Sequence, residues 1–194
     1  MVLDKLFPTR NTGEVHEWFS GRGAELMKEL GVKSGDHVLD FGCGIGSYAV
    51  PLAQITGETG SVTIVDKDQN KLIATREQCS LWAPDAHLNE ICGSDGESLS
   101  VIPDDSLDIV LVFDVLQHVK DWRKLFSNVV RVLCSGGRIL INPSLLSHAG
   151  KVKADELLSV LERKNIHVVS RRKCHIMHYK HFAEDEIWVC EVQP

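Results

Sequence analysis

The residues of this sequence that point most directly to chemistry are an aspartate and three glycines in one short segment. In VLDFGCGIGS, Asp40 is followed by Gly42, Gly44 and Gly46. Glycines at such a turn let the backbone approach a ligand closely. A dinucleotide-binding turn has the spacing G-x-G-x-x-G and places a diphosphate at the N-terminus of a helix. Here the spacing is G-x-G-x-G, and Ser47 stands where the third glycine of that fingerprint would be.

The carboxylate of Asp40 separates two kinds of ligand. At an effective dielectric constant of about 20, two unit charges about 4 Å apart interact by about 4 kcal/mol, and beside a diphosphate that energy is unfavourable. With a ligand that has no phosphate and carries a sulfonium, an ammonium and an adenosine, the interaction energy with Asp40 becomes favourable. The turn therefore favours S-adenosylmethionine over a dinucleotide, and a tight strand-to-helix turn without a ligand is the structural alternative.

Short strands and helices alternate along most of the chain and must position this turn. Strands are predicted over residues 37–41, 62–66, 87–92, 107–113, 138–142, 166–176 and 186–192. Helices are predicted over 47–56, 69–82, 121–133 and 154–164, with two short ones between 14 and 30. Gly136 and Gly137 are expected to stop the third of the long helices. The pattern predicts an α/β fold with a doubly wound, mostly parallel, seven-stranded Rossmann-like sheet whose last strand is antiparallel.

Five segments of the chain resemble, in order, the motifs of the class I S-adenosylmethionine-dependent methyltransferases, over residues 30–142. VLDFGCGIG resembles the first motif, and TIVDKD ends the second strand with Asp66, 20 residues after Gly46. SDGESL resembles the family's D-A-E-x-L segment, and LDIVLVFDVLQHVKD resembles its fourth-strand motif. RVLCSGGRILI resembles RVLKPGG and the fifth strand, with Cys134 and Ser135 in place of Lys-Pro. The chain is similar in style to small enzymes such as the ubiquinone and menaquinone biosynthesis methyltransferases.

The resemblance implies a set of cofactor-binding residues. Asp66 would accept hydrogen bonds from both ribose hydroxyls, which suits a carboxylate, and Asp95 would approach the adenine amino group. The structural alternatives are an acid at the start of a helix for Asp66 and a plain surface lysine for Lys67. The full set expected at S-adenosylmethionine is Asp40, Gly42, Cys43, Gly44, Gly46, Asp66, Lys67, Asp95, Gly96, Phe113 and Asp114.

Methyl transfer from a sulfonium is an in-line displacement, so the protein has mainly to align a nucleophile and exclude water. A general base is needed only if the nucleophile is protonated. His118, just beyond the fourth predicted strand, is the catalytic candidate, and the alternative is a histidine that shapes its loop by hydrogen bonds to the backbone. Asp114 and Gln117 share this ambiguity, and His148 is a weaker candidate for contact with the acceptor.

Two other segments bear on the substrate and on metals. The motif [DN]-P-P-[YF] of enzymes that methylate adenine or glutamine amides is absent after the fourth strand, where the chain has VFDV, so those substrates are disfavoured. CHIMHYKH, residues 174–181, resembles a run of metal ligands. If the segment is one strand, His178 points away from both His175 and His181, and Cys174 with His178 is too few ligands for zinc. We therefore predict no metal. We expect the basic run 171–173 to be a solvated face, and the alternative is a surface that receives an acidic substrate or RNA.

Composition narrows the remaining function classes. A net charge of −6 argues against non-specific nucleic-acid binding. The sequence has no apolar run long enough to span a bilayer and no visible secretory leader, so no membrane partner is expected. Six scattered cysteines are typical of reduced thiols, which favours a cytoplasmic protein.

These observations predict one methyltransferase domain over residues 1–194. Its parts are an N-terminal helical lid (1–34), a cofactor-binding half (35–142) and a substrate-side half (143–194). The expected partner is a small-molecule methyl acceptor, and no DNA is expected. Two alternatives stay open: an RNA or protein methyltransferase that needs a partner, and a non-catalytic S-adenosylmethionine-binding subunit.

Overall fold

The computed structural model describes residues 12–143, 154–179 and 181–193. Its helices are α1 (Thr12–Glu17), α2 (Gly23–Glu29), α3 (Ala49–Thr56), α4 (Gln69–Trp82), α5 (Trp122–Val132) and α6 (Ala154–Glu162), with a π-helical turn at Trp18–Arg22. Three short 3₁₀ helices span Gly57–Thr59, Gly96–Val101 and Leu116–His118. The strands are β1 (His37–Phe41), β2 (Ser61–Asp66), β3 (Leu88–Cys92), β4 (Leu107–Val112), β5 (Leu133–Ile141), β6 (Ile166–His178) and β7 (His181–Val192).

The seven strands form one sheet in the order β3-β2-β1-β4-β5-β7-β6. β1 pairs in parallel with both β2 and β4, whereas β7 runs antiparallel between β5 and β6. This arrangement confirms the predicted doubly wound, mostly parallel sheet with an antiparallel last strand. The strand order reverses between β1 and β4, and ligands bind such sheets at this switch point, outside the carboxyl ends of the strands.

Helices cover the sheet on both faces, and the N-terminal helices pack beside α3. Trp18 and Phe19 are fully buried; Trp18 Nε1 donates to the carbonyl of Ser47 at 2.7 Å, and Gln54 Nε2 donates to the carbonyl of Phe19 at 2.6 Å. The opposite face is closed by α5, whose Asp121 cap accepts from the amide of Lys124 at 3.0 Å. No helix within the described residues is long and apolar enough to cross a membrane.

The helix before the two consecutive glycines ends earlier than predicted. α5 stops at Val132, and β5 begins at once with Leu133 and runs through Gly136 and Gly137. The register between β4 and β5 shifts at this place, and Gly136 has a φ of 81°. The prediction that these glycines stop the helix is therefore wrong: a glycine in the left-handed region serves a bulge in a strand as well as a helix end.

The last two strands form a longer and tighter hairpin than predicted. Only two residues separate β6 from β7, and His178 lies directly opposite His181, with ring centroids 5.2 Å apart. The prediction that these two histidines point apart is wrong because it treated the segment as one strand. The chain reverses between them, so their side chains lie side by side on one face of the hairpin.

Candidate functional site

A cavity of about 560 Å³ opens at the carboxyl ends of the central strands, a volume typical of small-molecule sites. We call one part of its wall the glycine-turn side; it is formed by residues 41–45 and Ser47 together with residues 65–67 and Lys71. We call the other part the hairpin side; it is formed by Tyr48, by residues 113–115 and 117–119 of the loop after β4, and by His178, Tyr179 and His181 at the tip of the β6–β7 hairpin.

The structure brings most of the predicted site residues to this cavity. Those that line it are Gly42, Cys43, Gly44, Asp66, Lys67, Phe113, Asp114 and His118. Asp40, Gly46, Asp95 and Gly96 are not among the lining residues. His148 lies outside the described residues, and so does the first part of the predicted lid. The described part of the lid, from Thr12, does not line the cavity, so its closing role stays a prediction.

The carboxylate of Asp66 is fixed at the end of β2 by backbone amides. One oxygen accepts from the amide of Gly44 and the other from the amide of Asp68, both at 3.0 Å. Each carboxylate oxygen can accept a second hydrogen bond. Asp66 therefore presents two oriented acceptor atoms at the cavity wall, which is the arrangement that two neighbouring hydroxyls of a ribose require.

The amides of the glycine turn are already used within the protein. Those of Gly42 and Cys43 both donate to the carbonyl of Val65, at 2.8 and 3.0 Å, and that of Gly46 donates to the carbonyl of Cys43 at 3.0 Å. A phosphate-binding turn instead points its amides at the ligand. This geometry disfavours a diphosphate and agrees with the unfavourable charge of Asp40.

Two glycines shape the turn in different ways. Gly42 has a φ of 87°, and a Cβ there would lie 2.4 Å from Cγ2 of Val115, so the turn packs directly against the loop after β4. At Gly44 a Cβ would meet no heavy atom closer than the carbonyl oxygen of Gly42, at 4.0 Å. A ligand can therefore approach the backbone closely at Gly44.

Asp40 lies just behind the wall, 2% exposed, and its Oδ2 has no hydrogen-bond partner within the described part of the chain. The pKa of Asp40 is raised to about 7, mainly by burial and also by the charges of Asp66 and Asp114, against the opposing hydrogen bond from the amide of Ala49. Three carboxylates thus share this region, and one has an unused oxygen. A cationic ligand would offset their repulsion, so the donor set fits the sulfonium and ammonium groups of S-adenosylmethionine.

Three predicted residues have a structural explanation within the described chain. The carboxylate of Asp95 caps the 3₁₀ helix that follows it, accepting from the amide of Glu97 at 3.0 Å. At Gly96 a Cβ would lie 2.8 Å from the backbone of Leu125, which explains the glycine by packing. Burial and the charge of Asp40 raise the pKa of the Cys43 thiol, so it is neutral and unreactive. Contacts of these residues with the cofactor stay predictions.

On the hairpin side, His178 bridges two carboxylates. Its Nδ1 lies 3.0 Å from both oxygens of Asp114, and its Nε2 lies 3.3 Å from Oδ2 of Asp185. Burial lowers the pKa of His178, but the hydrogen bond to Asp114 and the charges of both aspartates outweigh burial and raise that pKa above its ordinary value of 6.5. The two aspartates therefore favour the imidazolium form, in which both ring nitrogens carry an N–H donor.

The other hairpin-side groups are aromatic or polar. The Tyr48 hydroxyl is buried without a hydrogen-bond partner among the described residues, and its ring meets Phe113 edge-on at 4.8 Å. Gln117 Nε2 donates to the carbonyl of Asp114 at 2.7 Å. His118 is exposed on the 3₁₀ turn and lines the cavity, a position that keeps it available to an acceptor.

Sequence reasoning missed Tyr48, Asp185 and the inward direction of His178 and His181. No group of three histidine, cysteine or acidic side chains that could hold a metal is present in the described ranges. The orientation of the two histidines could have been predicted from the short segment HYKHF. Its two central residues can form a turn that ends one strand and begins the next.

Comparisons with known proteins identify the family of the chain. The sequence profile of the "Methyltransferase domain" family matches residues 39–141, more than half of the chain. The ubiquinone/menaquinone biosynthesis C-methyltransferase of Pseudoalteromonas translucida is 32% identical over 117 residues, which is 60% of this chain and 46% of that protein. A demethylmenaquinone methyltransferase of Listeria monocytogenes is 32% identical over 115 residues, 59% of this chain and 47% of that protein. The chain thus spans about half the length of these curated relatives.

A solved structure, a SAM-dependent methyltransferase from Aquifex aeolicus, shares the fold. Its TM-score is 0.70 at 18% identity, covering 99% of this chain and 97% of that chain. The fold and the sequence matches together confirm the predicted class and its cofactor, S-adenosylmethionine. The chain belongs to the methyltransferase-domain family of class I S-adenosylmethionine-dependent methyltransferases.

Proposed function

We propose that this protein transfers a methyl group from S-adenosylmethionine to a small-molecule acceptor within the cavity. The observation that carries the proposal is that a single cavity joins Asp66 and the glycine turn to a second, polar wall at the β6–β7 hairpin. When bound, S-adenosylmethionine supplies an electrophilic methyl group on a positively charged sulfur.

Different residues of the chain bind the cofactor and orient the acceptor. Asp66 holds the ribose hydroxyls, and the buried charge of Asp40 stabilises the cationic part of the ligand. On the acceptor side, Phe113 and Tyr48 supply apolar surface that excludes water, which strengthens every electrostatic interaction in the site. His118 stands as the candidate base for an acceptor that must lose a proton.

A small-molecule acceptor is supported by the concave site and by the relatives, one named for ubiquinone and menaquinone biosynthesis and the other for demethylmenaquinone. The basic run of β6 does not favour RNA. The guanidinium of Arg171 lies over the ring of Trp188, 4.6 Å from its centroid, and Arg172 Nη1 donates to the carbonyl of Glu29 at 2.9 Å. These two cations already have partners within the chain, as expected of a surface face.

The test is transfer of a radiolabelled methyl group from S-adenosylmethionine by the purified chain. The candidate acceptors come from a cell extract divided into low-mass, RNA and protein fractions. We expect label in the low-mass fraction, and none with the Asp66→Ala variant. Label found only in RNA or protein would overturn the small-molecule acceptor. Binding of S-adenosylmethionine without transfer to any fraction would favour a non-catalytic subunit.

A further inference from the structure

His178 joins the two structural elements that form the hairpin side of the cavity. It is the last residue of β6, its side chain is 5% exposed, and it lines the cavity. One ring nitrogen faces Asp114, in the loop after β4, and the other faces Asp185, on β7. Neither the family motifs nor the matched region, residues 39–141, includes His178 or Asp185.

Asp114 is held in a backbone conformation that needs support. Its φ is 52°, the left-handed region, which costs a residue with a Cβ about 1–2 kcal/mol. Its side chain is 18% exposed and lines the cavity, so the carboxylate is accessible from the site. The bond from His178 to both carboxylate oxygens fixes the rotation of this side chain, and each oxygen retains capacity for another hydrogen bond.

We propose that His178 is a positioning residue for the methyl acceptor: by bridging Asp114 and Asp185 it holds the Asp114 carboxylate at the cavity wall, where that carboxylate accepts a hydrogen bond from an O–H or N–H group of the acceptor. This role rests on the proposed function, and it requires an acceptor molecule that carries a hydrogen-bond donor. Hydroxyl and amine acceptors share this property, and the experiment below separates them.

The charges around His178 set the sign of its pH dependence. The groups that face it are Asp114 from the loop after β4 and Asp185 and His181 from β7. The Tyr48 hydroxyl, from the turn before α3, interacts with both of these aspartates. The two aspartates raise the pKa of His178, so the form with two N–H donors persists to a higher pH than in an ordinary histidine. Once the pH rises above the raised pKa, one donor is lost and the bridge opens.

Two substitutions separate the two halves of the bridge. In His178→Asn the amide nitrogen lies near the position of Nδ1 and can still donate to Asp114. In His178→Gln it lies near the position of Nε2 and can donate only towards Asp185. If the role of His178 is to hold Asp114, the asparagine variant keeps acceptor binding and the glutamine variant loses it. A general loss of packing would affect both variants alike.

The experiment uses the full chain saturated with S-adenosylhomocysteine and three small probes followed by NMR: catechol, benzylamine and veratrole. Veratrole is catechol with both hydroxyls methylated, so it has no donor. We expect catechol or benzylamine to bind at least about tenfold more tightly than veratrole, the energy of one hydrogen bond to a charged group. Whichever of the two binds identifies the acceptor as a hydroxyl or an amine.

Among the variants, His178→Asn is expected to keep probe affinity within about threefold, and His178→Gln and Asp114→Asn to lose about tenfold. Calorimetric affinity for S-adenosylhomocysteine, unchanged in the two His178 variants, shows that these variants fold. The folding of Asp114→Asn is checked by urea denaturation, because Asp114 is itself a predicted cofactor-binding residue. Asp185→Asn is the second check: NMR titration of the ring should show a lower pKa of His178 with Asp114 still bound.

Equal probe affinity of the asparagine and glutamine variants, or failure of both donor probes to bind more tightly than veratrole, would overturn the role of His178. If the wild-type chain does not bind S-adenosylhomocysteine at all, the proposed function itself is contradicted. The two failures are therefore distinguishable.

Discussion

The two sides of the cavity fix their polar groups by different means. On the glycine-turn side, the Asp66 carboxylate is held by the backbone amides of Gly44 and Asp68, which come from the turn after β1 and the residues after β2. On the hairpin side, the Asp114 carboxylate is held by a side chain, His178, which comes from a strand 64 residues further along the chain.

This difference determines how each side can change. A group fixed by the backbone keeps its orientation when neighbouring side chains are substituted or titrated. A group fixed by a side chain depends on the identity and protonation of that side chain. We infer that affinity for the cofactor is a property of the fold, whereas recognition of the acceptor is adjustable through a few residues of the hairpin.

On the glycine-turn side, the substitution expected to weaken cofactor binding most is Asp66→Ala. The variant loses both acceptors offered to the ribose, at about 1.5 kcal/mol or more for each hydrogen bond to a charged group, so affinity for S-adenosylhomocysteine should fall at least about 100-fold. Calorimetric titration measures this. Asp68→Asn, which changes the cap of the next helix, is the matched control and should bind nearly as tightly as wild type. Equal losses in the two variants would contradict the role of Asp66.

Gly42→Ala tests the contact that joins the two sides. The new Cβ adds strain at a φ of 87° and a clash with Val115, so we expect a loss of about 3 kcal/mol in the free energy of unfolding. Urea denaturation measures it. Gly136→Ala is the control, because its φ is 81° and nothing lies within 4 Å of its Cβ position; strain alone should cost about 1 kcal/mol. A similar cost at both glycines would show that the packing on Val115 is unimportant.

Asp40→Asn tests the buried charge behind the wall. The pKa of Asp40 is raised from 3.8 to about 7, so the folded state binds a proton that the unfolded state releases between these values. Its contribution to stability is therefore present at low pH and lost as the pH rises through 7. Measured by urea denaturation, the stability of Asp40→Asn relative to wild type should increase from pH 4 to pH 7 and then level off.

The same variant should distinguish two ligands. S-adenosylmethionine carries a positive sulfur and S-adenosylhomocysteine does not, so at pH 8 the loss of the Asp40 charge should weaken the first ligand more than the second. A stability difference that does not vary with pH would show that folding does not shift the pKa of Asp40. An equal weakening of both ligands would show that the charge of Asp40 does not act on the sulfonium.

The smallest effect concerns the support of the glycine turn by the N-terminal helices. Trp18→Phe removes the hydrogen bond from Nε1 to the carbonyl of Ser47, whereas the Trp82 Nε1 finds no partner among the described residues. Both changes remove a similar volume. Trp18→Phe should therefore cost about 1 kcal/mol more than Trp82→Phe in thermal or urea unfolding. A smaller loss for Trp18→Phe would mean that this bond does not support the turn.

Most of the parallel sheet could be predicted from local sequence. The bounds of β1 and α4 agree with prediction at both ends, and Asp68 caps α4 as expected, accepting from the amide of Asn70 at 2.9 Å. Strand patterns, helix caps and the glycine turn depend on residues close together in the sequence. They can therefore be recognised without knowledge of tertiary contacts.

The hairpin side could not be predicted in the same way. The bridge at His178 depends on three elements that meet only in the folded chain, and the alternation rule gave the wrong relation of His178 to His181 because the turn between them was not recognised. Likewise, Gly136 and Gly137 fit both a helix end and a strand bulge, and only the pairing of β5 with β4 decides between them.

The most direct test of the account is calorimetric titration of the purified chain with S-adenosylmethionine, S-adenosylhomocysteine and NAD. The site has its turn amides bonded internally and a buried carboxylate beside the turn, so we predict micromolar binding of one or both adenosyl ligands and no binding of NAD. Binding of NAD with an affinity equal to or above that of S-adenosylmethionine would contradict the central claim.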